Sequence, residues 1–510
     1  MLIKGAKMSN RSYKSDTSFR DKIALGAVGT RFAYKHLREL GHKVIELERG
    51  SLNAQIWSNV KIKRIRVPDL FCMACGTMVE VRAKNRSSFE FSMSHSTKTA
   101  ERHWDYGLSE RDYVAFVPAM KDPESELGWS AHNKIYYVPA ASLKEAVQHN
   151  KIKIPDRKGA EEGSESRIVW PIKISNVSGK VISISESFII IDPNDGSRKR
   201  KYKLTFTNDD KTFFLRPLVS EGDSVEGGDV IASIVQVFQS IPCQKRMHLQ
   251  EHLEVAIGSE SLPEKYAAIK ALGYYRLRDK DLLQTVTNSL FEIASNASLH
   301  PYIQLEAAAS LVRLKDNRGY STIKQFCLAD NNSHRLEAAL TLAELPSQES
   351  VRLLGSLLSD SNAHPEVRIG ASWALGRIGD KDAIETLIAF LADKDRDVRL
   401  SVARAIGTAS RRHLGLLIQR FTSAETPDAI QGLAWSIANL GGAVELARHT
   451  IDNPSTIRDN QSVWVAFALA HMDPESHRHL LDALGKVRPD IFSNLFALRA
   501  YLNSWVADLK

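Results

Sequence analysis

The chain has 510 residues, 43% of them hydrophobic and 25% charged, with a formal net charge of +8. These totals suit a soluble protein of about three domains, and no stretch approaches the roughly 18 consecutive apolar residues that a membrane span needs. The basic, polar N-terminus lacks the apolar core of a secretory signal, and four cysteines make no disulfide framework, so a cytoplasmic location without a membrane partner is expected. The charge is unevenly placed. Residues 1–100 hold 19 Lys/Arg against 8 Asp/Glu, whereas residues 247–510 hold 28 against 31. The N-terminal region is therefore where DNA or another polyanion would be attracted, although a basic surface also serves solubility.

In chain order, Lys22 to Gly41 has apolar residues at helical spacing and a Gly stop, followed directly by the strand-like HKVIELE. Lys61 to Arg86 reads as two strands joined at a Cys-Gly turn, and DYVAFVP from Asp112 and KIYYVPA from Lys134 are further strand candidates. The expected α/β domain runs over 18–150. Its order, with Pro68-Asp69 and then Glu80-Val81-Arg82-Ala83-Lys84, resembles the core of restriction-endonuclease-like PD-(D/E)xK domains. That resemblance implies that Asp69 and Glu80 hold Mg²⁺ while Arg82 and Lys84 face phosphate. The family pattern has Lys two residues after the Glu, where this chain has Arg82. It also has an acid in the first helix, where Thr30 stands after Gly26 and Gly29; Glu46 or Glu48 could compensate. Arg64, Arg66, Arg86 and Lys98 could follow a phosphate backbone, or simply be solvated charges.

Cys72-Met73-Ala74-Cys75-Gly76 has zinc-knuckle spacing, in which the turn aims two thiolates at one ion. Further ligands for Zn²⁺ are then needed, and His95 and His103 are the nearest candidates. The alternatives are two small apolar residues on a hairpin, or a redox pair.

After a charged linker at 151–166, residues 167–240 switch to short β segments such as VISISESFIIID and KYKLTF. Glu221-Gly222-Asp223, Val225 and Gly228-Asp229-Val230-Ile231 resemble the closing signature of lipoyl/biotinyl-like barrel-sandwich hybrid domains, which Gly179-Lys180-Val181 would open. The stretch carrying Lys199 and Lys201 lacks the flanking context of a modified carrier lysine, so a structural spacer is expected.

From 247 to 510 the sequence repeats itself. Segments beginning at Leu305, Leu336, Ile369, Leu400, Gln431 and Val463 align without gaps, at spacings of 31, 33, 31, 31 and 32 residues. Each is a helix rich in small residues, followed by a turn and a second apolar helix, so neighbouring hairpins must stack to bury their faces. The pattern resembles the HEAT family and implies an all-α solenoid, and its acidic balance favours a protein-docking surface over a phosphate-binding groove. Arg368 and Arg399 are expected as staples between repeats, and Trp373, Trp435 and Trp464 as core. Taken together, the expected fold is an α/β endonuclease-like domain, a small all-β barrel-sandwich unit and a HEAT solenoid. The expected function is Mg²⁺-dependent DNA cleavage in defence or DNA processing, with a non-catalytic scaffold for protein–protein interaction as the alternative.

Overall fold

The computed structural model describes residues 16–49, 65–85, 89–93, 103–154, 166–208, 211–244, 247–408, 411–473, 475–495 and 498. Arg64, Arg86, His95 and Lys98, and residues 155–165 of the expected linker, lie outside them. The chain forms two compact units that divide between Ser310 and Leu311. No helix among the described residues is long and apolar enough to cross a membrane.

The first unit opens with helix α1, Asp16–Glu39. Ala27, Ala33 and Leu37 recur on one face and are buried against a sheet. Gly29 faces that sheet so closely that a Cβ there would come within 2.6 Å of the Ala83 Cβ. The helix ends at Gly41, whose φ of +87° suits glycine. The amides of Gly41 and His42 close back on the carbonyls of Arg38 and Leu37, each at 3.0 Å, in the pairing of a Schellman turn.

Strands β1 (Val44–Glu46), β2 (Leu70–Cys72) and β3 (Met78–Lys84) form an antiparallel meander. Strand β5 (Tyr113–Lys121) lies parallel to β3, and β6 (Trp129–Ala131) and β7 (Tyr136–Pro139) pair antiparallel with β5. Helix α2 (Ala140–Gln148) follows β7. A separate ribbon pairs β4 (Phe89–Met93) with β8 (Ser166–Trp170), and Phe89, Phe91, Trp104 and Trp170 interlock beside it. Strand β8 thus lies against β4 rather than within the small β unit that follows.

That unit is wholly antiparallel. Strands β9 (Ile172–Ile174), β10 (Gly179–Ile184), β11 (Phe188–Pro193), β12 (Arg200–Lys203), β13 (Thr205–Asn208), β14 (Lys211–Phe214), β15 (Arg216–Pro217), β16 (Ser224–Val225) and β17 (Val230–Ser233) enclose one core. Val181, Ile189, Ile191, Leu204, Val225 and Ile231 fill it. VISISESFIIID is therefore two strands, because Ser185 turns the chain by accepting on Oγ from the amides of Ser187 and Phe188. Asp229 ties this unit to the α/β sheet. Its carboxylate accepts from Lys134 Nζ at 2.5 Å, while the Val230 amide donates to the Tyr136 hydroxyl at 3.0 Å.

Helices α3 (Leu249–Gly258), α4 (Leu262–Leu272), α5 (Lys280–Ser295) and α6 (Pro301–Arg313) follow. The second unit then alternates first and second helices. The first helices are α8 (Asn332–Leu342), α10 (Pro365–Ile378), α12 (Arg396–Gly407), α14 (Pro427–Asn439) and α16 (Asp459–Leu469). The second helices are α7 (Gly319–Leu328), α9 (Gln348–Ser359), α11 (Lys381–Ile388), α13 (Leu414–Ser423), α15 (Ala443–Asp452) and α17 (Arg478–Val487). Helices α8, α10, α12, α14 and α16 stack in series. Small residues permit this: a Cβ at Gly376 would come within 2.9 Å of both Ala405 Cβ and its carbonyl oxygen. Side-chain caps from Ser347, Asp380, Asp395 and Thr426 satisfy the amides that begin the helices. Arg368 donates to the Leu358 carbonyl at 2.8 Å and forks onto the Asp393 carboxylate. Arg399 donates to the Asp393 carbonyl at 2.6 Å and reaches Asp428 at 3.8 Å. Each arginine thereby joins one repeat to the next.

Candidate metal centre and acidic site

The β2–β3 hairpin carries two features, one at each end. On one side, Asp69 immediately precedes β2, and its Oδ2 accepts from the Val81 amide at 2.7 Å. Because Leu70 pairs with Val79, Asp69 stands across from Glu80. Burial pushes the Asp69 carboxyl well above the usual range, and the negative charges of Glu80 and Glu48 push it further. Arg82 forms an ion pair with Glu80 and stacks over the Phe91 ring, its guanidinium carbon 5.1 Å from the centroid. Lys84 lies 3.8 Å from Glu90.

The structure thus brings together Asp69, Glu80, Glu48 and Arg82, and directs Lys84 to a different carboxylate. Arg66 donates to the His103 carbonyl at 2.9 Å. Thr30, where an acid would have stood, hydrogen-bonds back to the Gly26 carbonyl of its own helix at 3.1 Å.

On the other side, Cys72 and Cys75 meet His42 and Cys243. One ligand atom from each lies within 4.8 Å of every other. Cys72 Sγ is 3.9 Å from Cys243 Sγ, and Cys75 Sγ is 3.7 Å from His42 Nδ1. The local fold explains each position. Gly76, at a φ of +71°, closes the turn, with its amide on the Cys72 carbonyl at 2.8 Å and the Cys72 amide on the Thr77 carbonyl at 2.9 Å. The Schellman turn at Gly41 delivers His42. Ile241, buried in the sheet's core, carries the chain leaving the small β unit past the cluster, two residues before Cys243.

The hydrogen bond from Cys72 holds the Cys75 thiol well below its ordinary value, with His42 and Thr77 assisting against burial. The same bond, together with burial, drives Cys72 strongly up. Cys75 also raises His42 above its ordinary value. Sequence proximity had suggested His103 or His95 as further ligands. His103 is exposed and outside this group, whose other members lie 33 and 171 residues from the turn cysteines. The only sequence signal for Cys243 was its being a further cysteine, and for His42 its place just after a helix-ending glycine.

Among known families, a model described as HEAT repeats matches residues 321–407. The C-terminal region carries HEAT repeats. No curated protein matches the chain. Among solved structures, the CpcE–CpcF complex of phycocyanin lyase from Nostoc is 17% identical, with a TM-score of 0.26, covering 51% of this chain and 99% of that one. Human deoxyhypusine hydroxylase in complex with glycerol is 14% identical, with a TM-score of 0.20, covering 42% and 98%. The YibA protein of Escherichia coli is 19% identical, with a TM-score of 0.24, covering 44% and 81%.

Proposed function

We propose that the HEAT region is a protein-docking scaffold whose contact stripe runs along the first helices α10, α12, α14 and α16. One observation carries this reading. In the aligned repeats Trp373, Arg404, Trp435 and Phe467 occupy the same position, with Ile369, Leu400, Gln431 and Val463 one turn earlier. The core of each helix is already supplied by other residues, such as Val398, Val402 and Ile406 in α12. None of the eight stripe residues is buried, and Leu400 and Val463 are 44% and 41% exposed. The expectation that Trp373, Trp435 and Trp464 are core is accordingly corrected: all three are partly exposed, and Trp435 rests one edge of its indole against Gly407 of α12. Trp, Phe and Arg on a stacked, half-exposed face are the residue types that anchor protein interfaces.

The test compares wild type with a Trp373→Ala/Trp435→Ala/Phe467→Ala variant in crosslinking and mass spectrometry from native cells. The variant should keep its helical circular dichroism and lose the partner that wild type captures. Leu328→Ala, which removes a 71% exposed side chain outside the stripe, should keep it. An unchanged partner profile for the triple variant overturns the reading.

A second reading has its own support. The clustering of Asp69, Glu80 and Glu48, on an antiparallel meander with a parallel fourth strand and α1 against β3, favours a nuclease-like domain that places Mg²⁺ beside a phosphodiester. The pairing of Arg82 with Glu80 favours binding over cleavage, since a guanidinium held by the metal ligand is not available to water. Plasmid nicking with Mg²⁺, abolished in both Asp69→Ala and Glu80→Ala, would establish cleavage. DNA binding with a steep salt slope and no nicking would establish binding alone. The glycine turns at Gly222 and Gly228, and the antiparallel core they close, support a barrel-sandwich identity for the middle unit. There Lys201 lies over the Phe188 ring, with Nζ 3.9 Å from its centroid, in place of the free tip of a carrier lysine.

A further inference from the structure

We propose that His42, Cys72, Cys75 and Cys243 bind one Zn²⁺ in a closed, structural site that fastens the start of the helical repeats to the α/β domain.

The distances carry the assignment. Zn–S bonds of about 2.3 Å and Zn–N bonds of about 2.0–2.1 Å, set at tetrahedral angles, require S···S edges near 3.8 Å and S···N edges near 3.5 Å. The Cys72–Cys243 and Cys75–His42 separations of 3.9 and 3.7 Å match those edges. The tautomer is also set. His42 Nε2 lies 3.0 Å from the Ile241 carbonyl, to which it donates, leaving the Nδ1 lone pair aimed at the cluster. Turn amides support the sulfurs: Cys72 Sγ accepts from the amides of Ala74 and Cys75, and Cys75 Sγ from that of Thr77. Thr77 Oγ1 is a further 3.2 Å neighbour of Cys75.

A disulfide does not account for this arrangement. An S–S bond is about 2.05 Å and leaves a third thiol and an imidazole without a purpose. Zn²⁺ binds the three cysteines as thiolates, releasing whatever protons they still carry, and the neutral imidazole adds the fourth bond. With four protein ligands no position remains for water or substrate, so the site is structural rather than catalytic.

Its role follows from what the same turn touches. The Met247 amide donates to the Ala74 carbonyl at 2.6 Å, and His252 of α3 bonds the Met73 carbonyl through Nε2 at 2.9 Å. A Cβ at Gly76 would come within 2.2 Å of the Met247 sulfur. Helix α3 therefore seats on the metal-bearing turn, and Cys243 secures the segment leading into it.

Metal analysis of the full chain, purified without chelator, should find about one zinc per molecule. Cys72→Ser, Cys243→Ser and His42→Ala should each fall below roughly a tenth of that, whereas His42→Cys and Cys327→Ala should retain it. Cobalt-exchanged wild type should show the intense visible bands of a tetrahedral thiolate site. Hydrogen exchange of residues 72–77 and 247–258 should speed up on zinc removal. Wild type that carries no stoichiometric metal after growth in zinc-supplemented medium overturns the proposal, whatever the variants do. So does stoichiometric iron, a Cys72–Cys243 disulfide, or zinc that survives Cys243→Ser.

Discussion

Arg49 and Glu306 offer the sharpest test of how the first unit holds together. Their ion pair is almost fully enclosed, with side-chain exposures of 4% and 0%. It joins the segment after β1 to α6. Beside it Lys270 of α4, itself 1% exposed, donates to the Leu47 carbonyl at 3.4 Å. Replacing Glu306 by Ala takes this carboxylate from the Arg49 guanidinium in a site that water does not reach. Breaking a buried pair from one side costs about 3–5 kcal/mol, chiefly through the desolvated charge left behind. The unit has roughly 300 residues, so at about 2.1 cal/mol/K per residue its unfolding entropy is near 0.6 kcal/mol/K, and its transition should fall by about 5–8 °C. Arg49→Met should behave alike. The Arg49→Met/Glu306→Leu double variant should recover most of the loss, since neither charge remains to be solvated. Differential scanning calorimetry, with hydrogen exchange assigning each transition to its unit, reads the result. A fall below about 1–2 °C for Glu306→Ala, or a double variant no better than the singles, would refute the reasoning.

Other outcomes follow from the same physical picture. Burial raises the Asp393 carboxyl, but the Arg368 guanidinium more than reverses this and holds it below the usual range. A depressed folded value gives stability that is present above the unfolded value of about 3.9 and lost as pH falls through the folded one. Urea midpoints of the second unit should therefore drop from about pH 4 downward, and Asp393→Asn should flatten that limb. Gly376→Ala should cost about 1–3 kcal/mol by forcing α10 away from α12. Gly26→Ala, with nothing within 4 Å of its Cβ, should stabilise α1 by about 0.5–1 kcal/mol in thermal melts. Asp112 accepts from the amides of Met78 and Ser109 at 2.7 and 2.6 Å. Asp112→Ala leaves both donors without that partner and should lower urea stability by about 1–3 kcal/mol per donor, with Asp112→Asn recovering part.

The sequence alone determined what repeats and what alternates. Six aligned small-residue segments can only be helices stacked in series, because a hairpin with one apolar face has no other way to bury it. The Cys-Gly turn between two strands was likewise legible, since CxxCG dictates a local backbone shape. Neighbourhood across the chain was not. Nothing in the spacing of Cys72 and Cys75 points to His42 or to Cys243, which is 171 residues from Cys72. A helix-ending glycine and the return of the chain from the small β unit bring them in, and searching the nearest downstream histidines could not reveal that. The indoles of Trp373 and Trp435 tell the same story in reverse. Their composition reads as core, yet which side of a helix is outside depends on the neighbour that covers the other. Local periodicity fixes the elements; only packing decides which side chains they bring to one point.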